Sequence, residues 1–178
     1  LDEKTFVPKA IQGHISKYKN QMVDPQLLLK TAVGFFDEKL SEIYELYQNS
    51  LQDNNALDFD DLLLKPLELF NKHPKRLEYY QRKYLYVLVD EYQDTNRPQF
   101  ELVYNLSREH RDVCVVGDDD QSIYSWRGAD INNILNFSEA FGESCIIKLE
   151  QNYRSTQNIL DCAWPVVSLN SSRAEKKL

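Results

Sequence analysis

Val113-Cys114-Val115-Val116-Gly117-Asp118-Asp119-Asp120-Gln121-Ser122-Ile123-Tyr124-Ser125-Trp126-Arg127-Gly128-Ala129 is the stretch on which the fold turns. Its four leading apolar residues suit a short buried strand. Gly117 ends that run, and three aspartates open a loop where the strand stops. Gln121, a neutral donor and acceptor, is followed by two large aromatics, Tyr124 and Trp126, with Arg127 beside them. Groups able to meet a phosphate and rings able to stack on a base thus share one loop.

Working outward, Leu85 to Val89 is a second short apolar, β-rich run, and Ile146 to Leu149 a third. Between them, Pro98 to Leu106 and Ile131 to Phe137 read as helices, and Thr156 to about Leu169 as a last helix that Pro165 interrupts. Strands alternating with helices from residue 85 onward predict a parallel α/β sheet. Upstream the pattern is helical. Lys9 to Lys19 carries Ile11 and Ile15 one turn apart, and Asp24-Pro25 is a helix start. From Gln26, Leu28, Ala32, Phe36, Leu40, Ile43, Tyr47 and Leu51 recur at helical spacing for about seven turns. After the polar break Gln52 to Ala56, Asp58 caps a helix through about Phe70. The helical first half is a separate lobe, residues 1–56, and the α/β part spans 57–178.

Composition bounds the function. With 178 residues, 42% hydrophobic and 28% charged, the chain is globular in character, and no apolar run is long enough to span a bilayer. A net charge of −7 argues against a generally basic nucleic-acid surface, though not against a local stacking groove. Cys114, Cys145 and Cys162, and likewise His14, His73 and His110, are too scattered for a metal site, so buried reduced thiols in a cytosolic protein are expected. The first residue is Leu1 and no leader pattern follows, which predicts an excised segment.

In open parallel sheets ligands sit beyond the carboxyl ends of the strands, and three polar groups fall there. Asp90-Glu91-Tyr92-Gln93-Asp94 follows the first strand. An aspartate so placed can hold magnesium beside nucleotide phosphates, and a neighbouring glutamate can activate the attacking water. The second group is the loop already quoted. The third is Leu149 to Thr156, in which Arg154 can neutralise charge on a transferred phosphoryl group and Tyr153 can face a purine ring.

Asp90-Glu91-Tyr92-Gln93-Asp94-Thr95-Asn96, the run Gly117 to Ala129, and Gln151-Asn152-Tyr153-Arg154-Ser155 closely resemble the motifs of UvrD/Rep/PcrA-type superfamily 1 DNA helicases; Leu57-Asp58-Phe59-Asp60-Asp61-Leu62 resembles a further one. The resemblance implies a partial RecA-like P-loop NTPase sheet, with residues 1–56 as the helical insertion of the first RecA-like domain. It implies ATP and Mg2+ as cofactors, with Asp90 binding the metal, Glu91 as base, Gln121 at the γ-phosphate, Arg154 as arginine finger and Tyr153 on adenine. Phe59, Tyr124 and Trp126 would grip single-stranded DNA, with Arg127 supporting them. The implied activity is 3′ to 5′ movement on DNA in bacterial repair or replication, in the cytoplasm at the nucleoid, with repair or replication proteins as partners. None of Gly13, Gly34, Gly117, Gly128 and Gly142 begins G-x-x-x-x-G-K-[ST], so the chain alone is expected to lack ATPase activity, and its sheet to be exposed enough for marginal stability or self-association. Asn170 to Leu178 resembles the passage to later domains. The alternatives are a non-catalytic module binding single-stranded DNA or protein, and a helicase–nuclease of the AddA/RecB kind.

Overall fold

A computed structural model describes residues 6–170. The helical lobe consists of α1 (Pro8–Asn20), α2 (Pro25–Thr31) and α3 (Phe35–Asp53). Asp24 caps α2 by accepting the Leu27 amide at 2.7 Å, with Pro25 at the first helical position as its sequence predicts. The single long helix expected from residue 26 is instead two. The chain breaks at Ala32–Gly34, where Gly34 takes φ +92° and the Asp37 carboxylate accepts the Val33 amide at 3.0 Å. The apolar stripe runs on across the break because both helices face one core: Leu28 and Leu40 are buried there with Phe6, Ile11, Ile15 and Tyr44.

Next come α4 (Asp61–Lys72) and α5 (Pro74–Lys83), then β1 (Val87–Val89), α6 (Arg97–Ser107) and β2 (Val113–Val115). β1 and β2 pair in parallel, with Val87 opposite Val113 and Val89 opposite Val115. Asn96 and Gln99 form a reciprocal capping box at the start of α6. Beyond β2 lie α7 (Asn132–Leu135), α8 (Phe137–Phe141) and α9 (Gln157–Val167). The helix expected over 131–137 is therefore two short ones meeting at Asn136. α9 passes through Pro165 to Val167, because a proline so near the end removes only one late hydrogen bond. The expected passage to later domains falls outside the described residues from 171 on.

Two expectations are corrected. Residues 146–149 form no strand, and Ile146, Ile147 and Leu149 are about four-fifths exposed; among the described residues no strand edge pairs with them. All three cysteines are free but exposed, Cys114 because it shares the open face of the small sheet with Leu88. That face is uncovered, as expected: Leu88 is 78% and Tyr86 75% exposed.

A buried ion cluster joins the lobe to the segment 57–62. Lys19 is fully buried, and its Nζ donates to Asp58 Oδ2 at 2.7 Å and Asp61 Oδ1 at 2.8 Å. Tyr47 donates its hydroxyl to Asp58 at 2.9 Å, and Asp58 accepts the Asp61 amide at 2.8 Å. Burial pushes the Asp58 carboxyl up, but the bonds from Lys19, the Asp61 amide and Tyr47 outweigh it and hold it below its usual value of 3.8. A carboxyl depressed in the folded state stabilises fully above its unfolded pKa and loses that contribution as pH falls through the folded one. Unfolding midpoints taken from pH 6 down to pH 3 should therefore drop below about pH 4, less steeply in Asp58→Asn.

Candidate functional site

The parallel pair delivers two loops to one edge. The Val116 amide donates to Val89 O at 2.8 Å, and the Tyr92 amide donates to Val116 O at 2.9 Å, so the strand ends stay locked past the last paired residues. Asp90 and Glu91 are exposed at the tip of β1. Asp90 Oδ1 accepts the Glu91 amide at 2.9 Å, and Glu91 sits in the left-handed region at φ 49°. A non-glycine residue held there is strained, a condition that concentrates at functional sites. Tyr92 then turns fully inward against Phe137, and burial pushes its phenol up to about 12.

Gln93, which no role was expected to fall on, ties the two loops together. It is 1% exposed, donates from Nε2 to Glu91 Oε2 at 2.8 Å, and accepts the Asp118 amide on Oε1 at 3.0 Å. Gly117 leaves room beside it, since a Cβ there would stand 2.7 Å from Gln93 Oε1 and 3.3 Å from the Gln93 amide nitrogen, and the Gln93 side chain would have to shift. Gln121, exposed, donates to Asp118 Oδ2 at 2.7 Å, which places it on the same loop anchor. The Asp-Glu turn and the Gln121 loop are thus one hydrogen-bonded unit. The only sequence sign of this was a carboxamide inside an acidic run, paired at distance with a glycine.

Further along the loop, Tyr124 and Trp126 stand 6.3 Å apart, centroid to centroid, and Trp126 is 72% exposed. The Arg127 guanidinium lies 4.6 Å from the Trp126 centroid and 5.3 Å from that of Tyr124, a cation over both rings. The loop is pinned back by Asp130, whose amide donates to Thr95 O at 3.0 Å, and by an Asn96–Ala129 bridge. Phe59, 90% exposed, reaches the same framework through its neighbour. Asn20 donates to Asp60 Oδ1 at 3.0 Å and accepts from Asn96 Nδ2 at 2.6 Å, while a Cβ at Gly128 would come 3.4 Å from Asn20 Cβ.

The third group is not drawn in. Tyr153 is 92% exposed and Arg154 is exposed on a turn in which Asn152 Oδ1 accepts the Arg154 and Ser155 amides, each at 2.9 Å. Among the described residues no ion pair engages the Arg154 guanidinium. The unformed strand before it explains this: without a ladder, the segment has nothing to set its register.

Hard carboxylate oxygens at an exposed strand end suit Mg2+, and Asp90 supplies them. No helix is long and apolar enough to cross a membrane among the described residues. The UvrD/REP helicase N-terminal domain matches residues 1–142. The ATP-dependent DNA helicase PcrA of Bacillus subtilis is 50% identical over all 178 residues, that of Staphylococcus epidermidis 49% and that of Staphylococcus aureus 48%. In each case this chain covers 24% of the relative's length, so it spans about a quarter of the curated relatives it matches. An α/β pair of parallel strands carrying an Asp-Glu turn and an aromatic loop, a helical lobe locked to both, and the match over residues 1–142 lead to one conclusion: the chain belongs to the UvrD/REP helicase family.

Proposed function

We propose that the protein carrying this segment is an ATP-driven DNA helicase, moving 3′ to 5′ on single-stranded DNA in bacterial repair or replication, and that the segment supplies part of its first RecA-like domain. The observation that carries this reading is the single hydrogen-bonded unit joining Glu91, Gln93, Asp118 and Gln121 to the loop that displays Tyr124 and Trp126. Residues 1–56 form the helical insertion and 57–178 the α/β part; the apolar cluster drawn only from positions 6–47 supports that boundary.

Asp90 would hold Mg2+ with ATP phosphates, and the ion supplies charge neutralisation at the phosphoryl oxygens when bound. Glu91 takes the proton from the attacking water. Gln121 meets the γ-phosphate as a neutral donor, Arg154 offsets charge on the transferred group, and Tyr153 lies on adenine. Phe59, Tyr124 and Trp126 stack on unpaired bases, and Arg127 keeps the two loop rings oriented. The isolated segment binds single-stranded DNA without turning over ATP, because it contains no phosphate-cradling glycine loop. The protein works in the cytoplasm, at the nucleoid, with repair or replication proteins.

Fluorescence anisotropy of a labelled single-stranded oligonucleotide tests the DNA half. Trp126→Ala in the full-length protein should weaken binding by about tenfold, since a base stacked on an aromatic contributes roughly 1–3 kcal/mol. Unchanged affinity across low and moderate salt would remove Trp126 from the DNA surface.

A further inference from the structure

We propose that Gln93 is a positioning residue for the hydrolytic step: its carboxamide fixes the Glu91 carboxylate and fastens it to the backbone of the loop bearing Gln121. The inference rests on Glu91 acting as the base. Gln93 is 1% exposed, so its carboxamide is itself shielded from solvent, and its bonds to Glu91 and to the Asp118 amide are part-buried. Its orientation has one chemical solution. A carboxylate can only accept and a backbone amide can only donate, so the nitrogen must face Glu91 Oε2, at 2.8 Å, and the oxygen must face the Asp118 amide, at 3.0 Å. Reversing the amide would break both bonds.

The surrounding chain is shaped to this group. Asp94 Oδ2 lies 3.4 Å from the same nitrogen, and the Ser122 hydroxyl donates to Gln93 O at 3.3 Å. At Gly117 a side chain would collide with Gln93 Oε1 and with Ile134 Cδ1, both at 2.7 Å. Glu91 itself is exposed and carries a left-handed backbone, so its carboxylate has few other restraints. One buried carboxamide therefore sets where the base points. Because its other end grips Asp118, which also accepts Gln121 Nε2 at 2.7 Å, a shift of that loop is felt at Glu91.

Gln93→Met and Gln93→Glu in the full-length protein, beside Glu91→Gln, decide the matter through DNA-stimulated ATP hydrolysis. Gln93→Met keeps the volume and loses both bonds. It should lower kcat about 10- to 100-fold, the scale of a misplaced reacting group, with KM for ATP within about twofold. In Gln93→Glu a carboxyl faces Glu91, Asp94 and the Asp118 loop, and only its protonated form can donate to Glu91. Its kcat relative to the parent should therefore recover as pH falls from about 8 to about 6. Unchanged kcat in Gln93→Met would overturn the proposal. So would a loss matched by a collapse of the thermal midpoint, with a Gln93→Glu profile parallel to the parent's, for that is a packing residue. If Glu91→Gln itself keeps its turnover, the base assignment fails first, and the two failures are thereby told apart.

Discussion

If the proposed function holds, Glu91→Gln in the full-length protein is expected to lower the maximal rate of DNA-stimulated ATP hydrolysis by about a hundred- to ten-thousandfold, with nucleotide affinity nearly unchanged. The substitution is isosteric. Glutamine at 91 still offers an oxygen to Gln93 Nε2, so the bond seen at 2.8 Å and the turn around it survive. What disappears is basicity: a carboxamide cannot take the proton released as water attacks. The loss therefore belongs in kcat, read by phosphate release at saturating DNA, while titration with a fluorescent nucleotide reports binding. Turnover within tenfold of the parent would take the base role away from Glu91.

Lys19→Met should be strongly damaging to the fold. Lys19 is fully buried and Asp61 is 1% exposed, so removing the ammonium strands two carboxylates, one of them far from water. Breaking a buried pair from one side costs about 3–5 kcal/mol, a large share of a domain's stability. Urea unfolding followed by circular dichroism measures it. Adding Asp61→Asn to Lys19→Met should recover part of the loss, since one orphaned charge goes with it; additive losses would show that the cluster is not coupled. Both changes act where the lobe meets segment 57–62, so proteolysis should first open that junction.

What could be read from the chain was local. The strands inside the apolar runs 85–89 and 113–116, the Asp24-Pro25 start and the helix after Pro98 follow from a few consecutive residues, and the structure holds them there. Family motifs placed Glu91, Gln121 and Trp126 on two neighbouring loops in the same way. The contacts that escaped are distant ones. Lys19 meets Asp61 across 42 positions and Asn96 meets Asn20 across 76, and a lysine in a basic segment carries no sign of burial. The break at Gly34 was hidden because a four-residue step bridges it without disturbing the stripe. Ile146 to Leu149 has the composition of a strand, but a strand exists only with a neighbour to bond, and composition does not supply one.

Asn20 is the last residue of α1 and bonds to Asp60 and Asn96 while packing beside Gly128. It is therefore a fulcrum. The 13 residues of α1 make an arm about 20 Å long, so a tilt of about 10° at Asn20 sweeps Pro8 through about 3 Å. A displacement of that size at Pro8 would correspond to only a small rotation at the segments bearing Asp60, Asn96 and Gly128.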